Sequence, residues 1–235
     1  MLTLFNFGPA WGLPDPSPFC LKVDAYLRAT GLAFRVESGM QNLRRAPKGK
    51  LPYLRDGDEV IADSAFIIGY LKARYGDPLD AHLSDRERAV SHAFIKMLDE
   101  NLYWCVVHAR WIDAAGWREA RQQFFGALPM PLRLLLPALA RRGVARSLHH
   151  HGLGRHGAAE IAVIAGRDLQ SLSDLLGAQA YFFGDRMSTL DVVAFAFLAE
   201  CIETPVGGGL GERARSFANL VDFVGRLRTR LYGSA

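Results

Sequence analysis

A serine and a cysteine lie three residues apart at the predicted start of the first helix, in the run Ser17-Pro18-Phe19-Cys20. Ser17 suits the N-cap position, and Pro18 suits the first helical turn, where its missing N–H costs nothing. The free N–H groups and the dipole of a helix N-terminus favour an anion. A hydroxyl there can donate a hydrogen bond to a thiolate, and such a bond, worth roughly 1.5–3 kcal/mol, could lower a thiol pKa by about two units. Ser17 could therefore activate a bound thiol, or it could serve only as a cap.

Cys20 suggests a second thiol chemistry, because a cysteine in the first turn of a helix can have a lowered pKa and undergo redox reactions. The partner position of a Cys-x-x-Cys pair is occupied by Ser17, so no disulfide can form within this motif. A buried, apolar Cys20 beneath the helix is the alternative, and it is favoured because free cysteines are often buried.

Two further pairs could bind a peptide-like ligand. Pro52 is expected to open a strand, which leaves Leu51 extended with its backbone groups free to face a ligand, although an ordinary edge-strand proline would look the same. Asp63 and Ser64 start the next predicted helix, where the hydroxyl and free N–H groups could hold a carboxylate and Asp63 could pair with an ammonium. An α-amino acid carries both groups, but simple helix capping explains this pair equally well.

The elements that must position these residues follow the order β-α-β, then β-β-α. Asp56-Gly57 is a strong hairpin-turn signal between the third and fourth strands. We expect strands at Leu2–Phe7, Ala33–Glu37, Leu51–Leu54 and Val60–Ala62, and helices from Ser17 to Gly31 and from Asp63 to near Gly76. This order predicts a thioredoxin-like layer over residues 1–76, followed by a linker at 77–83.

The second half of the chain, residues 84–235, is predicted to be all helical. Ser84 and Glu87 form a capping box that opens a long helix towards Asp113, and Ser188 with Asp191 suggests a second box with a structural role. Further helices are expected at about 117–125, 132–142, 158–176, 189–202 and 218–232. The predicted fold class is therefore α+β, with an N-terminal thioredoxin-like domain and a C-terminal all-α helical bundle.

Composition and charge give no support to several other classes of protein. The 235 residues carry a net charge of only +4, with no Lys/Arg stripe interleaved with aromatics, so nucleic-acid binding is not indicated. The N-terminus lacks a signal-peptide pattern and no apolar run could span a bilayer. Three widely spaced cysteines indicate no disulfide framework or zinc site, which favours the cytoplasm. The histidines at 149–151 and 156 lack a ligand spacing and are expected in a solvated loop, so no metal is predicted.

One segment is unusually apolar. Leu128-Pro129-Met130-Pro131-Leu132 and the residues up to Leu139 could line a ligand cleft, join a dimer interface or touch a membrane. Buried packing is the expectation that we favour.

Taken together, these motifs resemble the glutathione S-transferase superfamily, and most closely the bacterial members of its failed-axon-connections/metaxin-like branch. The similarity spans nearly the whole chain. It is carried by Pro16-Ser17-Pro18-Phe19-Cys20-Leu21-Lys22-Val23, Pro47-Lys48-Gly49-Lys50-Leu51-Pro52-Tyr53, Asp63-Ser64, Tyr181-Phe182-Phe183-Gly184-Asp185-Arg186 and Ser188-x-x-Asp191.

The resemblance implies a role for each of these residues. Ser17 would be the thiol-activating hydroxyl, and Leu51, before a cis Pro52, would bond the cysteinyl backbone of glutathione. The remaining contacts would be Asp63 and Ser64 on the γ-glutamyl end, Lys50 or Lys48 on the glycyl carboxylate, and an electrophile pocket lined by Trp11, Tyr103, Trp104, His108 and Trp111.

The leading hypothesis is a homodimeric transferase that binds glutathione as co-substrate and adds its thiolate to a small hydrophobic electrophile, as in detoxification. Two alternatives remain: a non-catalytic glutathione-binding or interaction module of the metaxin type, and a glutathione-dependent thiol reductase that uses Cys20. The fold alone does not choose among them.

Overall fold

The computed structural model describes residues 1–233. Its N-terminal part contains a four-stranded sheet with the order β2-β1-β3-β4, in which β1 pairs in parallel with β2 and antiparallel with β3. The strands are β1 (Leu2–Asn6), β2 (Phe34–Ser38), β3 (Tyr53–Asp56) and β4 (Glu59–Ala62). The four strands follow one another along the chain as predicted, and the thioredoxin-like fold class is confirmed.

Burial and turn chemistry explain the arrangement of the sheet. All five residues of β1 are buried, as expected for a central strand between two neighbours. β3 begins at Tyr53 and not at the predicted Leu51, because Pro52 has no N–H to contribute to the ladder. The hairpin between β3 and β4 turns at Gly57, whose φ of 59° requires the conformational freedom of glycine.

The other regular elements of the described chain are helices, joined by loops. Helices α1 and α3 pack against each other, α3 also contacts β3 and β4, and a short α2 lies between α1 and α3 along the chain. The helices are α1 (Pro18–Ala29), α2 (Asn42–Arg45), α3 (Ser64–Tyr75), α4 (Asp85–Met97), α5 (Tyr103–Trp111), α6 (Ala114–Phe125), α7 (Leu132–His151), α8 (Ala158–Leu176), α9 (Thr189–Ile202), α10 (Leu210–Arg215) and α11 (Ala218–Tyr232).

The long helix expected from Ser84 towards Asp113 is present, but it is not a regular α-helix throughout. A π-helical segment, Leu98–Leu102, joins α4 to α5. π-Helical turns of this kind are frequent near functional sites. Asn101 in this segment donates a hydrogen bond of 2.8 Å to buried Asp168 on α8, which fixes the π segment against the helical bundle.

Helix α9 lies at the centre of the molecule. Every residue from Thr189 to Cys201 is buried, and α9 packs against α1 of the N-terminal domain. A buried ion pair, Lys22 Nζ to Asp99 Oδ1 at 2.6 Å, adds a second link between α1 and the helical domain. The N-terminal and helical domains therefore share one continuous apolar core.

Helix α7 differs most from the sequence prediction. It was expected to end near residue 142 but continues to His151, so the three consecutive histidines lie in its last turns and the predicted loop there is wrong. The expectation of buried packing for the apolar segment before Leu139 is also wrong, since most of its leucines are exposed. The short helices α2 and α10 and a 3-10 turn, Leu153–Arg155, were not predicted because they carry no clear apolar periodicity.

Candidate functional site

A cleft of about 520 Å³ lies between the N-terminal domain and the helices α4, α5 and α7. Most of the side chains that the sequence singled out meet there. The lining includes Ser17, Lys48, Lys50, Leu51, Pro52, Asp63, Ser64, Tyr103, Trp104 and Trp111.

Ser17 lies at the start of α1, in extended backbone geometry with φ −103° and ψ 121°. It occupies the N-cap position, yet its side chain makes no capping hydrogen bond, and Pro18 follows at the first helical position. The hydroxyl of Ser17 is half-buried in the wall of the cleft. A hydroxyl that is not used for capping can donate to a ligand that lies over the helix end. The same hydroxyl also lies near the Cys20 thiol, where its hydrogen bond opposes the rise in the pKa of that thiol.

A buried carboxyl group holds the loop before Ser17 in place. Asp15 accepts hydrogen bonds from the backbone N–H groups of Phe7 at 2.8 Å, Gly8 at 3.1 Å and Ser17 at 2.8 Å. Burial raises the pKa of Asp15 to about 7, although these N–H donors oppose the shift. Sequence reasoning missed Asp15. Its position between two prolines, Pro14 and Pro16, was the available signal.

A buried arginine from the helical domain anchors the same loop. Arg110 on α5 donates to the carbonyl oxygen of Pro16 at 2.7 Å and to Glu200 Oε2 on α9 at 2.6 Å. Its guanidinium also lies 4.9 Å from the ring centroid of Trp11. Arg110 and Glu200 were not recognised in the sequence, although a glutamate within the apolar run of α9 is a signal for a buried ion pair.

Cys20 lies on the buried face of α1 and outside the cleft. Its side chain is fully buried, packs with Phe5 and Leu51, and does not contribute to the lining. Burial is the main cause that raises the pKa of the Cys20 thiol well above its ordinary value. The structure therefore gives Cys20 the packing environment that the sequence favoured, and it offers no route by which this thiol could meet a substrate in the cleft.

The two residue pairs expected to bind a peptide-like ligand both lie in the wall of the cleft. The Leu51-Pro52 peptide bond is cis, and both residues line the cleft just before β3. Asp63 has a positive φ of 85° and caps α3 by accepting from the N–H of Ala65 at 2.9 Å, and Ser64 follows it, buried, in the cleft wall.

Charges of both signs surround this part of the cleft. Lys48 and Lys50 lie on one side, and the Lys48 ammonium is 4.5 Å from the ring centroid of Phe66. Asp63 and Glu100 contribute acidic groups elsewhere in the lining. A zwitterionic peptide with two carboxylates and one ammonium would find partners of both signs here.

The aromatic residues divide into two groups. Tyr103, Trp104 and Trp111 line the cleft as expected, and the Trp104 ring stacks on His151 at 4.6 Å between centroids. Trp11 and His108 do not line it. The Trp11 ring packs edge-on against Phe124, with 5.2 Å between the ring centroids. The Arg110 guanidinium lies over the same Trp11 ring.

His108 faces a separate cavity of about 220 Å³, which Cys105, Asp113 and Arg213 also line. The two turns of helix between Tyr103 and Trp111 place His108 on a different side of α5, and burial lowers its pKa. The expectation that His108 belongs to the electrophile pocket is therefore at odds with its placement.

Two kinds of site were not found in the described part of the chain. Within residues 1–233 no three His, Cys, Asp or Glu side chains are grouped so as to hold a metal ion. None of the described helices combines the length and apolar character needed to cross a membrane.

Comparison with known proteins identifies the scaffold. Residues 18–116 match the family model of the glutathione S-transferase N-terminal domain, and residues 165–227 match the model of the glutathione S-transferase C-terminal domain. Isoprene-epoxide–glutathione S-transferase from a Rhodococcus strain is 36% identical over 97% of this chain and 98% of that protein. The chain belongs to the glutathione S-transferase family.

Other relatives of this glutathione S-transferase family member carry names that state no transferase activity. Failed axon connections from Drosophila melanogaster is 34% identical over 99% of this chain, which corresponds to 58% of that longer protein. Metaxin-1 from Sus scrofa is 34% identical over 84% of this chain and 64% of its own length. The resemblance to this branch of the family, expected from the motifs, is confirmed.

Solved structures support the same fold. The β-etherase LigF from a Sphingobium strain aligns with a TM-score of 0.65 at 21% identity, over 97% of this chain and 94% of that one. A glutathione S-transferase from Methylobacterium radiotolerans in complex with glutathione sulfonate aligns with a TM-score of 0.61 at 19% identity, over 97% and 91% of the two chains. At these identities the alignments establish the glutathione transferase fold and not a substrate.

Proposed function

We propose that this protein binds glutathione in the cleft and transfers its thiolate to a small hydrophobic electrophile. The observation that carries the proposal is the Ser17 hydroxyl, which lies at the N-terminus of α1, makes no capping hydrogen bond and faces the cleft that Pro52, Asp63 and Ser64 also line. The relative at 36% identity is an isoprene-epoxide–glutathione S-transferase, which supports the same reaction class.

Each part of glutathione has a matching group in the proposed complex. The backbone of Leu51 would pair with the cysteinyl unit, as an extended residue at a strand start can. Asp63 would meet the γ-glutamyl ammonium, while Ser64 and the N–H groups at the start of α3 would hold its carboxylate. Lys48 or Lys50 would meet the glycyl carboxylate.

These contacts would bring the sulfur of glutathione to the N-terminus of α1. A hydrogen bond from Ser17 and the helix dipole would favour the thiolate over the thiol, so a larger fraction of bound glutathione would be nucleophilic near neutral pH. The electrophile would lie against Tyr103, Trp104 and Trp111, beyond the sulfur. Holding both reactants in one cleft converts a bimolecular reaction into an effectively unimolecular one.

Two alternatives differ in their support. A non-catalytic module is favoured by the 34% identity to Failed axon connections and Metaxin-1, whose names state no transferase activity. A reductase that uses Cys20 would need the thiol to reach the cleft, and Cys20 is fully buried with a raised pKa.

We infer a homodimer acting in the cytoplasm, on the family resemblance and the absence of a disulfide pattern.

The test compares Ser17→Ala with Cys20→Ala. Loss of the Ser17 hydroxyl should raise the pKa of the bound glutathione thiol by about one to two units and lower conjugation efficiency near neutral pH about ten- to a hundredfold. Glutathione affinity should change much less, because the other contacts remain. The measurements are a pH titration of thiolate ultraviolet absorbance, a conjugation assay and calorimetry with glutathione.

Cys20→Ala is the matched control three residues away. It should leave conjugation nearly unchanged, since the Cys20 side chain does not line the cleft. Loss of turnover in Cys20→Ala with normal turnover in Ser17→Ala would transfer the assignment to a thiol reductase. If the parent protein gives no heat with glutathione, the non-catalytic module replaces the transferase.

A further inference from the structure

Helix α7 presents leucines to solvent. The exposed fractions are 44% for Leu132, 55% for Leu134, 58% for Leu135, 38% for Leu136 and 65% for Leu139. Contiguous apolar surface of this kind marks an interaction site, whereas single exposed apolar residues are common. The leucines are not needed for the fold of α7 itself, because other residues attach this helix to the protein.

The side of α7 that packs inward carries Pro137, Val144 and Leu148, which recur at intervals of seven and four residues. The opposite side carries Leu135, Leu139, Arg142 and Arg146, spaced four, three and four residues apart. All four are exposed. We call these four side chains the Leu–Arg face: its leucines occupy the first half of the helix, and its arginines follow on the same side.

The segment of the chain that carries the Leu–Arg face is rich in arginine. No Asp or Glu occurs between Glu119 and Glu160, a stretch that contains six arginines. Arg141 is occupied within the protein, where it donates to the carbonyl oxygens at the end of α5. Arg142 and Arg146 make no ion pair within the described residues. Arg121 on α6 adds a further exposed cation, and it lines a groove together with Arg142.

Charge decides which occupant fits this surface. A second copy of the chain, docked by a twofold axis through the Leu–Arg face, would place the arginines of both copies near one another with no acidic side chain on α7 to offset them. An anionic bilayer surface suits both halves of the face. Leucines can enter the boundary between headgroups and acyl chains, and arginines can bond the phosphates above it.

We propose that the Leu–Arg face of α7 is a docking surface for anionic lipid membranes, which the protein binds peripherally. The same helix contributes Val144 and Ser147 to the wall of the cleft. Docking would therefore hold the cleft next to the compartment in which apolar electrophiles concentrate. The binding itself does not depend on the proposed transferase activity, and it can be tested in its absence.

The experiment is co-sedimentation of the full chain with vesicles. One set of vesicles contains phosphatidylcholine alone and the other contains phosphatidylcholine with phosphatidylglycerol. We expect binding to the anionic vesicles that is at least tenfold tighter than to the neutral ones and that weakens as salt is added. Leu135→Gln/Leu139→Gln and Arg142→Gln/Arg146→Gln should each reduce that binding at least tenfold.

Two variants with substitutions outside α7 serve as matched controls. Arg35→Gln/Arg74→Gln removes two exposed cations from the N-terminal domain, and Val163→Gln removes an exposed apolar side chain from α8. Both should bind vesicles like the parent, and circular dichroism should show that all variants are folded.

Three results would overturn the proposal. The first is that the parent binds both vesicle types equally or binds neither. The second is that Leu135→Gln/Leu139→Gln and Arg142→Gln/Arg146→Gln both bind anionic vesicles as tightly as the parent. The third is a parent dimer, seen by light scattering without vesicles, that Leu135→Gln/Leu139→Gln dissociates, which would assign the face to contact between two copies of the chain.

Discussion

At the scale of single residues, Asp15 has as much influence on the site as Ser17. Ser17 supplies the hydroxyl, but its position is set by the carboxyl of Asp15, which receives three backbone N–H groups from both sides of the loop. The carboxyl is fully buried, so its ionisation competes with the cost of losing water. The loop is thus held by a group whose charge depends on pH near neutrality.

This dependence gives the first prediction. The pKa of Asp15 is about 7 in the folded protein and about 3.9 in the unfolded chain, so between these values the folded state retains a proton that the unfolded state has lost. Raising the pH through this window therefore lowers the free energy of unfolding. Between about pH 5 and about pH 8 the free energy of unfolding of the parent should fall by about 2–3 kcal/mol. The Asp15→Asn variant should not show this fall.

Urea titrations at several pH values measure this difference. Asp58→Asn, in the exposed hairpin turn, serves as the control and should follow the parent. Parallel profiles for the parent and Asp15→Asn would mean that Asp15 is not protonated in this range and that its three N–H donors hold it ionised.

The sequence identified many of the residues that line the cleft, but not the residues that hold them in place. Pairs such as Leu51-Pro52 and Asp63-Ser64 are visible locally, because strand starts and helix starts have their own residue preferences. Asp15 and Arg110 could not be recognised in this way. Their roles depend on contacts with residues distant in the chain, such as the 94 positions that separate Arg110 from Pro16.

At the scale of secondary structure, α9 shows how far local signals reach. Its bounds, Thr189–Ile202, agree with the prediction because a capping box and an apolar run specify them together. The prediction for α7 was wrong for the opposite reason. The leucines in its first half are exposed while Pro137 is buried, so the apolar residues up to Leu139 did not indicate which face packs inward. Beyond residue 142, contacts of Val144 and buried Leu148 extend the helix.

The cap of α9 leads to a second prediction. Asp191 accepts from the N–H of Ser188 at 2.7 Å, from its hydroxyl at 2.6 Å and from the N–H of Phe182 at 2.9 Å, all in the interior. An exposed cap is worth about 0.5–2 kcal/mol, but each buried donor left without a partner costs about 1–3 kcal/mol. Asp191→Ala should therefore lower the free energy of unfolding by about 3 kcal/mol or more.

Glu87→Ala is the matched control, because Glu87 closes the corresponding box on α4 by accepting from the N–H of Ser84 at 2.8 Å at the surface. Its loss should cost about 1 kcal/mol or less. Denaturant melts of both variants decide the question. An Asp191→Ala protein that is as stable as the parent but inactive would show that Asp191 serves the reaction and not the fold.

At the scale of the whole molecule, the site exists only because the two domains are joined. The cleft has one wall from each domain, and the loop that carries Ser17 is bonded to α5 and α9 through Arg110 and Glu200. Burial raises the pKa of Glu200 above its usual value, while Arg110 beside it opposes that shift. This buried pair therefore has two separable roles: neutralising its own charges and holding the carbonyl of Pro16.

The two roles can be separated by a pair of substitutions. Arg110→Met alone leaves Glu200 buried without its partner and should lower the free energy of unfolding by about 3–5 kcal/mol. Arg110→Met/Glu200→Leu removes both charges, and replacement of a buried ion pair by apolar side chains is often neutral, so most of the stability should return. The carbonyl of Pro16 still lacks its donor in the double variant. Conjugation efficiency should therefore stay about tenfold below that of the parent, because small displacements of a reacting group lower the rate steeply.

Urea melts and conjugation kinetics on the parent, the single variant and the double variant give the comparison. Glu200→Leu alone completes the cycle, since it keeps the donor to Pro16 but leaves Arg110 without its carboxylate. Full activity in a stable double variant would mean that the loop is held without Arg110 and that Arg110 contributes only to the core. Recovery of stability without recovery of activity would place the control of Ser17 in the helical domain, because the donor missing from that variant comes from α5.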